Sequence, residues 1–222
     1  MYVRAFLLLQ KDLIKIFDYV EPCNSNRYCY SHRIHEVLVR AAIEVEVNFK
    51  AILSENDYGF RKDKNGDTIR WNMGDYRKIN KTHRLSSYRV EVPYWRGDSQ
   101  KRPFAAWSGK GVPEWYDAYN ATKHNRHDDF KKSTLDNAVY AVSALAVLMA
   151  AQFGTEDFTP GPQYISTGGT YERDESAFLP GIGGFFSIQS PHDWPHEEMY
   201  DFTLQEWLEM EKENDPFCNL RF

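Results

Sequence analysis

Apolar residues recur at intervals of three and four along three long stretches of the chain, a spacing typical of amphipathic helices. The first predicted helix runs from about Phe6 to Tyr19. The second runs from Ser31 to about Leu53, with the Ser31 hydroxyl placed to cap its first turn. The third is rich in alanine and spans about Asp129 to Gln152. These segments predict a core built mainly from helices.

Shorter elements are predicted between and after these helices. An alternating pattern over residues 88–95 indicates a strand, which Pro93 confines to an edge or terminates. A further helix begins after Pro113 and reaches at least His124. The other predicted elements are an exposed polar loop at 57–70, a short helix at about 75–81, short strands near Tyr164 and Phe185, and a final helix from Thr203.

The whole pattern predicts a mainly α-helical protein with short β-strands. We expect one helical domain over residues 1–156, with an insertion at about 57–110, and an irregular acidic extension over 157–222 that packs on it. The longest uncharged stretch, residues 137–155, contains polar side chains, and its apolar part falls short of the roughly 20 residues of a membrane span. We interpret it as a buried core helix and expect no membrane association.

The composition indicates a folded protein and excludes some functions. Hydrophobic residues make up 42% of the 222 residues, too many for a chain that is disordered by default. The net charge of -5 excludes a uniformly cationic nucleic-acid binder. Three cysteines are too few for a disulfide scaffold of this size, which favours a reducing compartment and a cytoplasmic protein.

Charge is distributed unevenly along the chain. Residues 55–132 carry 17 basic and 11 acidic side chains, whereas residues 133–222 carry 3 basic and 15 acidic ones. The middle of the chain is therefore basic and its last third strongly acidic. This asymmetry indicates either that the middle segment binds an anion or that it pairs with the acidic end of the same chain.

Residues 114–130, EWYDAYNATKHNRHDDF, lie between two helical patterns and are dense in Asn, Lys, His and Arg. Together with the helix RIHEVLVRAAIEVEVNFKAIL, this arrangement resembles the HEPN superfamily of small helical bundles. The resemblance covers roughly residues 30–55 and 112–153. It implies a HEPN-like helical bundle. Many members of that superfamily are metal-independent RNases of toxin–antitoxin and anti-phage systems, and others are inactive binding modules.

The resemblance also implies roles for single residues. The family motif is an Arg, often followed by Asn, with a His four to six residues later; the His exchanges a proton and the Arg holds the phosphate. Asn120 and His124 match the Asn and the His, while Tyr119 occupies the position of the Arg. Arg126 can replace that Arg if the helix ends there; in a continuous helix it lies about 160° around from His124. In this hypothesis His124 is the acid/base, Asn120 orients it, and Arg126 and Lys123 contact phosphate.

A second basic group lies between residues 70 and 89. This stretch contains six basic residues, the single acid Asp75 and interleaved aromatic residues. Cations neutralise phosphates and aromatic rings stack on unpaired bases, so this stretch is a candidate surface for single-stranded RNA. A solvated surface, or pairing with the acidic end of the chain, is the alternative. The candidate phosphate-binding residues are Lys123, His127, Arg77, Lys78, Lys81 and Arg84.

A zinc site is one interpretation of Cys23, Cys29, His32 and His35, because thiolate and imidazole are the usual zinc ligands. Their spacing, C-x5-C-x2-H-x2-H, matches no common zinc module, and free cysteines account for the residues better. The sequence contains no Walker motif, G-x-S-x-G or H-E-x-x-H. We therefore expect no metal and no cofactor.

Two functions remain open. The first is a cytoplasmic RNA-interacting protein, with metal-independent endoribonuclease activity in bacterial stress or phage defence as its catalytic form. The second is a non-catalytic HEPN-like module that binds another protein, which Tyr119 in the Arg position and the net negative charge favour. For both we expect a homodimer, because bundles of this kind commonly bury an apolar face against a second copy.

Overall fold

Three long helices form the centre of the fold, and a computed structural model describes residues 2–56, 58–59, 61–62, 64–153 and 177–192. In chain order the helices are α1 (Tyr2–Phe17), α2 (His32–Glu55), α3 (Met73–Tyr76), α4 (Asn80–His83), α5 (Glu114–His124), α6 (Arg126–Asp129) and α7 (Leu135–Phe153). α7 packs against α1, α2 and α5. The mainly α-helical class predicted from the sequence is confirmed.

α1 presents one apolar stripe to the core. Phe6, Leu9, Leu13 and Ile16 recur at helical spacing, and all four side chains are buried. Burial of such a side chain contributes roughly 1.5–3 kcal/mol relative to an exposed position, so the stripe fixes the rotation of α1 on its neighbours.

α2 begins and ends at clear capping contacts. The Ser31 hydroxyl accepts a hydrogen bond from the Ile34 N–H at 3.2 Å, which confirms the predicted N-cap. At the other end, the Asn56 backbone and side chain both donate to the Ile52 carbonyl, at 3.2 and 2.8 Å. Since α1 and α7 both pack on α2, the helix needs apolar residues on more than one side.

α7 is the buried helix that the uncharged stretch predicts. Every residue from Leu135 to Ala151 except Tyr140 is buried, and many of them are alanines that permit close helix packing. α7 is the one helix among the described residues that is long and apolar enough to cross a membrane, but 89% of its apolar window is covered by the fold. The interpretation as a core helix is confirmed.

Short strands complete the structure. β1 (Arg61–Lys62) and β2 (Thr68–Ile69) form an exposed antiparallel hairpin. A second, antiparallel sheet has the order β4-β3-β6-β5 and contains β3 (Arg89–Glu91), β4 (Gln100–Lys101), β5 (Leu179–Pro180) and β6 (Ser187–Gln189). In it Val90 aligns with both Lys101 and Ile188, so residues 177–192 are joined to the segment between α2 and α5.

Some element predictions need correction. The stretch 57–70, predicted as a polar loop, contains the β1–β2 hairpin, although Lys62 and residues 64–70 are exposed as expected. The predicted strand at 88–95 is limited to β3, which lies inside its sheet, with Pro93 beyond its end. The last long helix starts at Leu135 rather than Asp129, because a 3-10 turn over Phe130–Lys132 and a non-helical Ser133 precede it. The strand near Tyr164 and the helix from Thr203 lie outside the described residues.

Candidate functional site

Residues 119–127 occupy the end of α5 and the break between α5 and α6. α5 ends at His124 because Asn125 has φ -137° and ψ 66°, which is not a helical conformation. Arg126 begins a new turn, closed by a 3.0 Å hydrogen bond from the Asp129 N–H to the Asn125 carbonyl. The 160° separation expected for a continuous helix therefore does not apply to Arg126 and His124.

Arg126 is directed toward the start of α2. Its Nη2 atom lies 3.4 Å from Nδ1 of His32, the first residue of that helix. Both side chains are exposed. The arginine predicted to act with His124 thus contacts a different imidazole, from a residue 94 positions away.

Phe130 joins further rings to this pair. Its ring centroid lies 4.7 Å from that of His32 and 5.5 Å from that of His35. The ring of Tyr30 meets it edge-on at 5.9 Å. We call Tyr30, His32, His35, Arg126 and Phe130 the Arg126 cluster.

His35 is the buried member of the Arg126 cluster. Its Nδ1 atom lies 2.8 Å from the hydroxyl of Ser133, which is completely buried. Burial lowers the pKa of His35 below its ordinary value, and Arg126 and His32 lower it further. A neutral imidazole here ties α2 to the segment before α7. The Ser133 hydroxyl has no exposed surface, so a substrate cannot reach it as a nucleophile.

Within the described residues, no carboxylate contacts Arg126. The acids nearest to the Arg126 cluster in sequence are engaged elsewhere: Asp128 by Asn125 at 2.9 Å, Asp129 by Lys132 at 2.8 Å and Glu36 by Arg33 at 2.8 Å. Within the described part of the chain, the positive charge of Arg126 is therefore left without a carboxylate partner. A guanidinium beside the exposed His32 imidazole, with Glu36 and Asp129 already paired with basic side chains, suits an anionic ligand.

The predicted site residues of α5 differ in whether their side chains have a hydrogen-bonding partner within the helix. The Asn120 side chain is in hydrogen-bonding contact with the Tyr116 hydroxyl, one turn earlier in the helix. Lys123 Nζ donates to the hydroxyl of the buried Tyr119 at 3.1 Å, and this bond raises the pKa of Lys123. His124 is exposed at the helix end. Asn120 and Lys123 thus have partners within α5, while His124 faces solvent.

The basic stretch between residues 70 and 89 is partly engaged in contacts within the chain. Arg77 donates to a backbone carbonyl at 2.9 Å, and Lys78 donates to a tyrosine hydroxyl at 2.6 Å. Lys81 is exposed, and Arg84 has a left-handed backbone with φ 47° directly after α4. On α6, the predicted phosphate contact His127 is exposed. Among the described residues, none of these side chains shares a hydrogen bond or ion pair with Arg126.

Two of the three aromatic residues interleaved in that stretch are closed to stacking, while the third, Trp71, is half-buried. Tyr76 and Tyr88 are 2% and 3% exposed and belong to the core. Tyr76 stacks on Phe49 of α2 at a centroid distance of 5.2 Å. Bases therefore cannot reach the faces of these two tyrosines, and Trp71 alone of the three aromatic residues keeps part of its surface open to solvent.

The four residues considered as zinc ligands do not surround a common point. Among the described residues, no group of three or more His, Cys, Asp or Glu side chains is placed to hold a metal ion. Cys23 and Cys29 are free thiols, and His35 uses one ring nitrogen to contact Ser133. His32 belongs instead to the Arg126 cluster.

The Arg126 cluster combines the groups needed for anion binding and proton transfer. The guanidinium provides a fixed charge with paired N–H donors, and an exposed imidazole exchanges protons near neutral pH. No family model, curated protein or solved structure matches this chain. The chemistry of the Arg126 cluster is therefore inferred from the positions of the residues in this chain.

Sequence reasoning did not place His32, Phe130 or Tyr30 beside Arg126. In the sequence, His32 stands out through its spacing to Cys29 and His35, and because Arg27 precedes it at the spacing of the Arg–His motif. The residues meet because Tyr30 forms an antiparallel bridge with Thr134, which aligns the segment before α2 with the segment before α7. No local pattern indicates that pairing, so the cluster emerges only in three dimensions.

Proposed function

We propose that this chain is an RNA-interacting protein that holds RNA phosphates at the Arg126 cluster. The observation that carries the proposal is the exposed Arg126–His32 pair, since the neighbouring carboxylates are already engaged. A guanidinium can donate two parallel hydrogen bonds to one phosphate, and such charge-assisted bonds are stronger than neutral ones. A cytoplasmic setting and a role in bacterial stress or phage defence belong to the same proposal.

Metal-independent cleavage is the catalytic form of this proposal. An imidazole removes the proton of the ribose 2′-hydroxyl, and the 2′-oxygen attacks the adjacent phosphorus. The bond from phosphorus to the 5′-oxygen breaks, and that oxygen receives a proton from a second acid. The products are a 2′,3′-cyclic phosphate and a free 5′-hydroxyl. His124 and His32 are the exposed imidazoles for the two proton transfers, and Arg126 stabilises charge on the phosphate.

Binding is tested with a fluorescein-labelled single-stranded RNA of about 12 nucleotides, measured by anisotropy at several salt concentrations. We expect Arg126→Ala to weaken binding about tenfold and to reduce the salt dependence by about one counterion. Arg96→Ala is the matched control, because Arg96 is exposed, lies outside the Arg126 cluster and pairs with Glu21. Equal affinity of Arg126→Ala and wild type would remove the phosphate-binding role.

Cleavage is tested on the same RNA in EDTA, with the products resolved on a denaturing gel and their ends identified by mass spectrometry. We expect a cyclic phosphate end, and a loss of activity of 100-fold or more in His124→Ala. Cleavage that survives in both His124→Ala and His32→Ala would show that these imidazoles do not perform the proton transfers. Absence of cleavage with intact binding would leave an RNA-binding protein without nuclease activity.

An exposed apolar face supports a second candidate function, protein binding. Ile43 and Val47 on α2 are 43% and 39% exposed, and Leu8 on α1 is 50% exposed. α1 and α2 pack against each other, and the ion pair between Asp12 and Arg40 aligns them so that Leu8 lies level with Ile43 and Val47. We infer that a second copy of this chain covers this face.

Charges at the two ends of the apolar face fit a two-fold contact. The pair Asp12–Arg40 lies one turn before Ile43, and the pair Glu46–Lys50 lies beside and after Val47. A two-fold axis through the centre of the face places each pair against the other, so each cation can meet a carboxylate.

Light scattering should then give twice 26.0 kDa, and Ile43→Glu should give a monomer. Ile69→Glu, on the exposed hairpin, is the control; a monomeric wild type would reject this interface.

A further inference from the structure

Three tyrosines stand exposed on the connection between α1 and α2, residues 18–31. Tyr19 is 89% exposed, Tyr28 is 70% exposed and Tyr30 is 54% exposed. Single exposed apolar residues are normal on a protein surface, but three exposed rings in one connection are candidates for an interaction site. The three differ in what lies beside them.

Tyr30 is fixed in position although half of it is open to solvent. Its backbone bridges to Thr134, and the neighbouring Cys29 carbonyl accepts a 2.7 Å hydrogen bond from the Leu135 N–H. Its ring packs edge-on against Phe130, at an interplanar angle of 87°. A ring already held in place loses little freedom when a ligand stacks on it.

The other two tyrosines are less suited to stacking. The Arg27 guanidinium lies 5.0 Å from the centre of the Tyr28 ring and covers one face, while Arg27 itself is held by Asp136. Tyr19 lies in the turn that follows α1, with its side chain almost fully exposed. Only Tyr30 shares a neighbour with the Arg126–His32 pair, because Phe130 contacts both Tyr30 and His32.

We propose that Tyr30 stacks on an unpaired base of a single-stranded RNA whose phosphate is held by Arg126, an inference that rests on the proposed function. The surroundings favour a nucleotide over an apolar peptide. Phe130, which the open ring contacts, also contacts the exposed His32 imidazole, and His32 contacts the Arg126 guanidinium. The nearby carboxylates of Glu36 and Asp129 are paired with basic side chains. A planar base carrying a phosphate matches both features, whereas a neutral peptide uses only the ring.

Stacking on Tyr30 predicts that the protein binds single-stranded RNA more tightly than duplex RNA. A base inside a duplex is already stacked and its faces are covered, so the Tyr30 ring cannot reach it. A single strand can turn one base out onto the ring. Because every base has an aromatic face, the contact discriminates single strands from duplexes and tolerates different sequences.

The test compares three RNAs on the full chain by fluorescence anisotropy: a single strand, its duplex and an abasic strand with the same phosphates. We expect the single strand to bind wild type about tenfold or more tightly than either of the other two. Tyr30→Leu should remove that advantage, while Tyr30→Phe should keep it, since the ring carries the stacking. Tyr19→Leu is the matched control and should bind like wild type.

The comparison on wild type does not depend on any variant folding, and thermal unfolding checks that Tyr30→Leu folds. Equal binding of the abasic and the normal strand would overturn stacking, although a phosphate site sensitive to Arg126→Ala would then stand. No binding of any RNA would overturn both proposals. A change of molecular mass in Tyr30→Leu, with RNA affinity unchanged, would assign the ring to a protein interface instead.

Discussion

Two groups of cations adjoin the connection between α1 and α2, and they use similar side chains in opposite ways. In the first, Arg27 and Lys101 share the carboxylate of Asp136, at 2.9 and 3.3 Å. In the second, Arg126 contacts the imidazole of His32. A buried charge needs its counter-ion within the chain, whereas an exposed charge can take its counter-ion from a ligand. The first group stabilises the fold, and the second is available for binding.

Lys101 is the enclosed cation of the first group, whereas Arg27 lies at its outer edge. Lys101 is buried, with its ammonium 4.3 Å from the ring centre of Trp95 and 5.3 Å from that of Tyr140. Asp136 lies in the first turn of α7, where the helix dipole favours a carboxylate. Its backbone N–H also donates to the Arg27 carbonyl at 3.0 Å. These contacts hold the connection and strand β4 to the start of α7.

The histidines fall into the same two classes, buried side chains and exposed side chains. His83 is buried at the end of α4, where burial lowers its pKa to about 4. His35 is buried against Ser133, and its pKa is also lowered. His124 and His127 are exposed beside the break between α5 and α6. Buried imidazoles are kept neutral for packing, and exposed ones can take up and release protons in contact with a ligand.

Asp136→Ala is the largest expected disruption of the first group. It leaves the Lys101 ammonium buried without its carboxylate, and we expect the free energy of unfolding to fall by about 3 kcal/mol. Urea unfolding at pH 7 measures this change. The double variant Asp136→Ala/Lys101→Met should recover most of the loss, because it removes the unpaired buried charge. A loss below about 1 kcal/mol in the single variant would mean that Lys101 does not depend on Asp136.

His83 should make the fold sensitive to acid. In the unfolded chain its imidazole takes up a proton near pH 6.5, whereas in the folded chain it does so only near pH 4. Its contribution to stability is therefore complete above pH 6.5 and is lost as the pH falls to 4, a difference on the order of 3 kcal/mol. Urea unfolding at both pH values should show a smaller acid loss in His83→Gln. His124→Gln, which changes an exposed imidazole, should keep the acid loss of wild type.

The sequence predicted the parts of the fold that depend on local patterns. The stripe of α1, the Ser31 cap of α2 and the start of α5 after Pro113 all follow from spacing and capping chemistry. The start of α7 was predicted six residues too early, because the turns at 126–132 are also compatible with a helical pattern. Chain-wide packing, rather than local propensity, decides that boundary.

The candidate site could be predicted only in part. Arg126 and His124 were chosen as candidates through the HEPN resemblance, but the side chain that Arg126 contacts, His32, is 94 residues away. Tyr30 and Phe130 had no distinguishing pattern in the sequence. Their contact depends on the bridge between Tyr30 and Thr134, and long-range pairings of this kind leave no local signal.

Arg126→Ala should have the smallest effect on stability, and this sharpens the contrast with Asp136. Because the Arg126 side chain is exposed and no described carboxylate contacts it, we expect the free energy of unfolding to change by less than about 0.5 kcal/mol. The pKa of His35 should rise toward its ordinary value, since the charge of Arg126 helps to lower it. Urea unfolding and an NMR titration of the His35 imidazole measure the two effects, and Arg126→Lys should keep the pKa low. A destabilisation comparable to that of Asp136→Ala would place Arg126 among the structural cations, and the distinction between the two groups would fail.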